Sequence, residues 1–253
     1  MKVGIILRIL ALLALTPGMC QAVIVDYFYT DGTIQDGDVY DIVVVKNDAT
    51  LDVLGGQVSQ LYAHDFSTIN FYAGLAGSVN ITSTSTFNLA GLLSCWVDIG
   101  ASARFNINEG VFDGKMTATG GRININGGIA DLATNSYISN FSVLDIYGGD
   151  ISFNGMRIDR YAELNIYGGE VTFDRDNFGY AFRLSPWGAF NVYYSDIIYG
   201  NGGTEILGYH LLDGSEFMLD QFNQQEINLI TFIPEPATFL ILAIGGIFLR
   251  SRK

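Results

Sequence analysis

The sequence has few of the residues on which most enzymes and nucleic-acid-binding proteins depend. Only 15% of its residues are charged, and its 253 residues include two histidines, two cysteines and four prolines. Thirteen basic residues stand against 26 acidic ones, and the resulting net charge of −13 argues against binding nucleic acid by neutralising phosphates. His64 and His210 lie far apart in the chain, and no His/Cys cluster has the spacing of a zinc site. The composition therefore predicts a protein with no metal cluster and no nucleic-acid partner.

The scarcity of cysteine also limits covalent chemistry. Cys20 lies in an N-terminal segment that is expected to be removed, so Cys95 would be the single cysteine of the mature chain and could not form an internal disulfide. Cys95 follows the apolar pair Leu92-Leu93 and precedes Trp96, which predicts a buried thiol. No base is indicated beside it, and nucleophilic catalysis would need one.

Apolar and small residues dominate what is present. The chain is 49% hydrophobic and 13% aromatic and contains 30 glycines. An apolar fraction of this size is sufficient for a packed core, so the chain is not disordered throughout. Glycine and aromatic residues combined with few charges favour an all-β or repetitive architecture over a helical one.

The N-terminus has the pattern of a secretory signal peptide over residues 1–22. Lys2 and Arg8 supply a positive start, an uncharged apolar run follows, and the small residue Ala22 is the predicted cleavage site. This pattern predicts transport by the Sec machinery and cleavage by signal peptidase. The alternative is a membrane anchor that is not cleaved.

The C-terminus is tripartite over residues 231–253. Pro234-Glu235-Pro236 precedes an apolar stretch at 237–249, and a basic end occupies 250–253. Thirteen apolar residues form about 20 Å of helix, less than the hydrocarbon core of about 30 Å. The segment therefore predicts a short transmembrane helix suited to transient anchoring in the inner membrane, with the basic end in the cytoplasm.

This tail resembles the PEP-CTERM sorting signal of exported proteins in exopolysaccharide-producing Gram-negative bacteria. The resemblance implies recognition, and cleavage near the motif, by the membrane enzyme exosortase. It covers only residues from about 233 to 253 and concerns how the protein is sorted. An ordinary tail anchor is the alternative. Removal of both ends at these sites would leave eight basic and 25 acidic residues, a net charge of about −17.

The body of the chain, residues 51–230, carries an internal repeat. Each copy is an apolar residue, then Asn or Asp, then an apolar residue, and most copies are followed by glycine. The central polar residues are Asp52, Asn70, Asn88, Asn106, Asn124, Asp145, Asn165 and Asn191, spaced by 18 four times and then by 21, 20 and 26. Phe217-Met218-Leu219 is a degenerate last copy, and a second triplet at Asn80 and Asp98 runs in phase with the first.

Apolar-polar-apolar triplets followed by glycine predict strands with one buried face, joined by sharp corners. Near-constant repeat length predicts that equivalent strands stack in successive coils, which makes the fold class all-β, a parallel β-solenoid of about eight to nine coils. We expect a right-handed β-helix, because the later coils break the six-residue rule of the left-handed type. Residues 23–50 are assigned to an N-terminal cap and first rungs, and residues 200–230 to an irregular C-terminal cap.

Two interpretations of the Asn/Asp column are open. Stacked amides at Asn70, Asn88, Asn106, Asn124, Asp145 and Asn165 can form a stabilising surface ladder. They can also present a polar face to sugar hydroxyls, beside Tyr147, Tyr167, Tyr193 and Tyr194.

Acidic residues are the remaining candidates for chemistry. Asp150 and Glu170 follow Gly-Gly in adjacent coils, so stacking would bring them together as weak candidates for a calcium ligand pair or an acid/base pair. Solvated surface carboxylates are the simpler interpretation, and neither a catalytic residue nor a required cofactor is predicted.

The sequence thus predicts a non-enzymatic, exported protein of the cell surface or extracellular matrix, held in the membrane before processing and linked to exopolysaccharide or biofilm. An adhesive role is compatible with this function. A carbohydrate-active β-helix enzyme, a polysaccharide lyase or glycoside hydrolase, is the alternative.

Overall fold

Short strands joined by sharp corners occupy most of the chain, as the triplet repeat predicts. The structure is a computed structural model that describes residues 23–133, 135–176, 179–200 and 203–235. The strands are β1 (Val25–Phe28), β2 (Gly32–Ile34), β3 (Val39–Val45), β4 (Thr50–Ala63), β5 (Thr68–Ile81), β6 (Thr86–Leu89), β7 (Leu92–Leu93), β8 (Trp96–Ile99), β9 (Arg104–Ile107), β10 (Val111–Gly114), β11 (Met116–Thr119), β12 (Arg122–Ile125), β13 (Ile129–Leu132), β14 (Tyr137–Ser139), β15 (Val143–Ile146), β16 (Asp150–Asn154), β17 (Met156–Ile158), β18 (Glu163–Ile166), β19 (Glu170–Asp174), β20 (Phe182–Leu184), β21 (Ala189–Gly200), β22 (Glu205–Leu211), β23 (Glu216–Met218) and β24 (Thr231–Pro234). A short helix, α1 (Gln224–Ile227), lies between β23 and β24.

Parallel pairing stacks these strands into a β-solenoid with three faces. In each coil the chain passes through a first, a second and a third sheet and then returns to the first, as in β9, β10, β11 and β12. The first sheet contains β2, the first part of β4, β5 and β21, and β6, β9, β12, β15, β18 and β24. The second contains β7, β10, β13, β16 and β19. The third contains β1, the last part of β3, β4 and β5, and β8, β11, β14, β17 and β20. The rod has about eight complete coils, which confirms the predicted parallel β-solenoid.

The apolar positions of each triplet point into the rod and form its core. In β5 the inward residues Ile69 and Phe71 are fully buried, whereas Asn70 between them faces outward. Ile69, Phe87 and Phe105 occupy the same position in successive coils, and the Phe87 and Phe105 rings meet edge-on with centroids 5.6 Å apart. Equivalent apolar residues therefore pack on each other along the axis, which gives one continuous hydrophobic core.

Glycine makes the corner between the first and second sheets. Gly128, Gly149 and Gly169 have φ of 78°, 101° and 95°, a region that other residues enter only with strain. A Cβ on Gly149 would lie 2.7 Å from the carbonyl oxygen of Gly128 in the coil before, so these corners also stack too closely for any side chain. The glycines after the triplets therefore mark tight turns.

Two expectations about the C-terminal end are wrong. Residues 203–230 contain regular strands in place of the expected irregular segment, because β22 pairs antiparallel with the extended end of β21 and β23 pairs antiparallel with β22. Phe217 lies in β23 and is therefore not part of a coil. The chain then returns through α1 to β24, which pairs parallel with β21 as the last rung of the first sheet.

Side chains of this cap satisfy donors at the open edge of the second sheet. The backbone N–H of Gly169 donates to Asp213 at 2.8 Å, and that of Phe173 donates to Gln221 at 2.9 Å. Burial tends to raise the pKa of Asp213, but hydrogen bonds from Ser215 and Gly169 prevail and hold the pKa below its ordinary value. An edge that could pair with another chain is thus covered.

Candidate functional site

The outer face of the first sheet carries a row of hydrogen-bonded amides, which we call the amide ladder: Asp52, Asn70, Asn88, Asn106, Asn124, Asp145, Asn165 and Asn191. In its first run, each Asn Nδ2 donates to the Oδ1 of the residue one coil earlier, at 2.7 to 2.9 Å. The second run starts at Asp145, which accepts from Asn165 at 2.9 Å, and Asn165 accepts from Asn191 at 2.8 Å. Every amide therefore donates toward the N-terminus, and each run begins with a carboxylate that can only accept.

The two runs meet at Asn124 and Asp145, which are paired in register but are not hydrogen-bonded to each other in the described structure. Asn124 presents Oδ1 toward the next coil, and an ionised Asp145 has no donor to offer it. Asp145 is paired with Arg122 of the preceding coil, whose guanidinium lies 3.1 Å from Asp145 Oδ2. Asp145 itself is 2% exposed, so this ion pair joins a buried carboxylate to an exposed arginine.

Tyrosines flank the second run of the ladder. Tyr147 stacks on Tyr167 with ring centroids 4.9 Å apart, and Tyr167 stacks on Tyr193 at 4.3 Å. Burial, followed by the hydrogen bond and charge interaction with Tyr193, raises the pKa of Tyr167 well above its ordinary value. The rings stack on one another, and Ile233 of the next rung is in register with Tyr193 at the C-terminal end of the stack.

The paired acids on the second sheet are adjacent. Asp150 is in register with Glu170, and Asp113 with Asp131, each pair in neighbouring coils with exposed side chains. Among the described residues, no group of three or more His, Cys, Asp or Glu side chains is placed to hold a metal ion. The calcium suggestion thus rests on pairs of carboxylates, and it stays a prediction.

The histidines and Cys95 lie in separate places. His64 Nδ1 is 2.6 Å from the Thr82 hydroxyl, and His210 Nδ1 is 4.0 Å from Glu216 Oε1 at the C-terminal cap. Cys95 is half-buried, not fully buried as predicted, and this burial raises its pKa to about 12, with a hydrogen bond to the Val79 backbone acting in the opposite direction. A thiol with this pKa is almost entirely protonated at neutral pH, so it is a poor nucleophile.

The first two residues of the Pro-Glu-Pro motif belong to the folded rod. Pro234 ends β24 opposite Tyr194, and the backbone N–H of Glu235 donates to the Tyr194 carbonyl at 2.8 Å. Pro236, the apolar stretch 237–249 and the basic end lie outside the described residues, as do the signal segment 1–22 and Ala22. Within the described residues, no helix has the length and apolar character required to cross a membrane.

The third sheet carries a polar groove that the sequence pattern did not reveal. Its volume is about 300 Å³, and it is lined by Thr119, Tyr137, Ser139, Asn140, Arg157, Asp159 and Arg160. Arg157 donates to Asp159 at 2.6 Å.

Beside the groove, the corner between the third and first sheets presents three exposed aromatic residues, Phe141, Tyr161 and Trp187, which we call the aromatic corner. An alignment of whole coils in the sequence would have revealed the aromatic corner, since Asn140-Phe141 and Arg160-Tyr161 are 20 residues apart.

The fold and these surfaces define the chain as a parallel β-solenoid with stacked outer rows. Neither a protein-family model, nor a curated protein, nor a solved structure matches this chain.

Proposed function

We propose that this protein is an exported, non-enzymatic component of the cell surface or extracellular matrix, sorted through its Pro-Glu-Pro tail by an exosortase. The observation that carries the proposal is the position of the motif. Because β24 is the last rung and Pro234 is its last residue, cleavage after Pro234 would leave every described strand intact. This position supports the proposal, because a sorting enzyme that cuts there would not dismantle the rod.

The rest of the proposal follows from the predicted ends and the coil geometry. Residues 1–22 direct the chain through the Sec machinery, signal peptidase cuts after Ala22, and 237–249 holds the protein in the inner membrane until it is processed. A right-handed winding is proposed as well, because crossovers between parallel strands of one sheet are right-handed in about 98% of cases. The rod then presents its outer rows to exopolysaccharide.

Mass spectrometry of the protein recovered outside the cell tests the sorting proposal. We expect an N-terminus at Val23 and a C-terminus close to Pro234. A matched strain that produces Glu235→Ala should retain the uncleaved chain in the membrane fraction. An extracellular form that ends at Lys253 would refute sorting by cleavage.

A polysaccharide-degrading enzyme is the second candidate, and the polar groove is the observation that favours it. Tyr137, Arg157 and Asp159 line this groove, and they are residue types that could bind an acidic sugar and transfer its protons. Incubation of the purified protein with a panel of acidic polysaccharides, followed by chromatography of the products, separates the two candidates. Under the main proposal chain length stays unchanged, and progressive shortening would establish the enzyme instead.

A further inference from the structure

Exposed aromatic side chains are concentrated at one corner of the later coils. Phe141, Tyr161 and Trp187 occupy three successive rungs and are 71%, 50% and 62% exposed. The Phe141 and Tyr161 rings are parallel within 7° with centroids 5.1 Å apart, and Trp187 continues the row at 5.9 Å. At the preceding corner the chain has Gly120 and Gly121, so Phe141 is the first ring of the row. Large apolar groups at consecutive exposed positions are typical of a contact surface.

The backbone beneath two of these rings is strained. Phe141 has φ of 65° and Tyr161 has φ of 64°, and Asn140 and Arg160 before them also have positive φ. Four earlier corners place Asn47, Asp65, Ser83 and Ser102 in this region, all small polar residues. Bulky residues enter it only at an energetic cost, and such strain tends to occur at functional sites. Two aromatic residues held there, with their rings in solvent, indicate a role other than stability.

The neighbouring groove adds positive charge to a strongly negative molecule. Residues 23–235 contain eight basic and 26 acidic residues, and two of those eight, Arg157 and Arg160, line the groove. Asp159 neutralises Arg157, whereas the Arg160 guanidinium makes no ion pair or hydrogen bond with any residue that the structure describes. Hydroxyl and amide groups of Thr119, Tyr137, Ser139 and Asn140 complete the lining, so the groove can bind an anion and the hydroxyl groups around it.

We propose that this groove and the aromatic corner bind a segment of acidic polysaccharide. Arg160 receives a sugar carboxylate, Tyr137 and Asn140 hydrogen-bond the ring hydroxyls, and the outward-facing parts of the Phe141 ring contact the apolar face of the sugar. The anionic group recruits the one arginine in the groove that lacks a partner, and charge complementarity selects an acidic sugar over a neutral one. This inference deepens the proposed function by naming the ligand class and its site.

The test measures binding of polygalacturonate oligosaccharides to the full-length protein in detergent micelles, in EDTA so that calcium cannot bridge carboxylates. The same oligosaccharides with their carboxyl groups reduced to alcohols serve as the neutral probe. The variants are Arg160→Gln and Phe141→Asn. Their matched controls are Arg104→Gln, an exposed arginine on the first sheet, and Phe66→Asn, a 73% exposed ring at the same corner about four coils earlier.

We expect the acidic probe to bind at least tenfold more tightly than the reduced probe. Arg160→Gln should weaken binding about tenfold through loss of a charged hydrogen bond, and Phe141→Asn about fivefold through loss of the ring. Phe141→Asn should not lower the unfolding temperature, because asparagine tolerates positive φ. Both controls should bind as the wild type does.

Three results would refute the proposed binding site. They are equal binding of the two probes, no binding of either probe, and equal losses of affinity in the variants and their controls. Binding that appears only after calcium is added would also overturn it and would point to the acidic pairs on the second sheet. None of these results alters the C-terminus found by mass spectrometry, so the site and the sorting proposal can fail separately.

Discussion

The direction of the amide ladder makes a prediction about the substitution Asn106→Asp, which preserves side-chain shape. Asn106 donates to Asn88 at 2.8 Å and accepts from Asn124 at 2.7 Å. An ionised carboxylate at this position still accepts from Asn124 but cannot donate. One of its oxygens therefore lies opposite Oδ1 of Asn88, so that two acceptors face each other without a hydrogen between them. The change therefore removes one hydrogen bond and adds a half-buried, repelled charge.

The expected cost is about 2 kcal/mol of unfolding free energy: about 1 kcal/mol for the lost hydrogen bond and about 1 kcal/mol for the opposed acceptors. For a chain of this size that corresponds to a fall of about 5 °C in unfolding temperature. The matched control is Asp52→Asn at the start of the same run, which keeps the oxygen that accepts from Asn70. This control should change stability by less than about 0.5 kcal/mol.

The cost of Asn106→Asp should depend on pH. Repulsion in the folded state raises the pKa of the new carboxyl above its unfolded value, so the folded state binds the proton more tightly. The penalty is complete above the folded pKa and shrinks as pH falls toward the unfolded pKa of about 3.9, because the protonated carboxyl can donate to Asn88.

Thermal and urea unfolding at pH 7 and pH 4, each compared with the wild type at the same pH, measures both effects. Equal stability of Asn106→Asp and the wild type at pH 7 would refute the directional ladder. A penalty that grows at pH 4 would refute the explanation through the lost donor.

Three further predictions concern packing, buried charge and reactivity. Asp145→Asn supplies the donor that Asn124 lacks and removes a buried charge, so urea unfolding should show stability unchanged or raised by about 1 kcal/mol; a loss above about 2 kcal/mol would contradict this. Gly114→Ala places a Cβ 2.0 Å from the Cys95 carbonyl oxygen and should lower stability by more than about 2 kcal/mol in the same assay. Gly100→Ala meets its nearest atom at 3.4 Å and is the control, expected to cost less than about 1 kcal/mol. With its pKa raised to about 12, Cys95 should react with iodoacetamide at pH 8 roughly 1,000-fold more slowly folded than unfolded, measured by mass spectrometry on the peptide that carries it; similar rates would contradict its burial.

The first sheet could be predicted because its signal repeats in both spacing and residue type. Asn70 and Asn88 mark adjacent rungs, and the 18-residue spacing places them in register as the structure has them. The third sheet gave a weaker signal at Asn80 and Asp98, which are also in register. The second sheet produced almost no repeat signal in the sequence, because a strand as short as Leu92–Leu93 is too brief for a two-residue period to be recognised.

The C-terminal cap and the groove could not be predicted from the sequence repeat, for different reasons. In the cap, pairing between β21 and β22 is antiparallel and contains register shifts, so no residue spacing repeats. In the groove, Tyr137 and Arg157 come from the third sheet, whereas Asn140 and Arg160 come from its corners. Their proximity depends on how coils of 20 and 21 residues stack, which the triplet repeat alone does not specify.

The direction of the amide ladder has a consequence for how the rod is built. Asn70 donates back to Asp52, and Asn88 donates back to Asn70, so each new coil brings the donor and finds its acceptor already in place. A chain that emerges from a ribosome N-terminus first therefore meets an acceptor that is already in place at each step within a run, and the step from Asn124 to Asp145 is the exception. Within each run the ladder therefore favours growth of the rod in one direction, from the N-terminal coil toward the C-terminal coil.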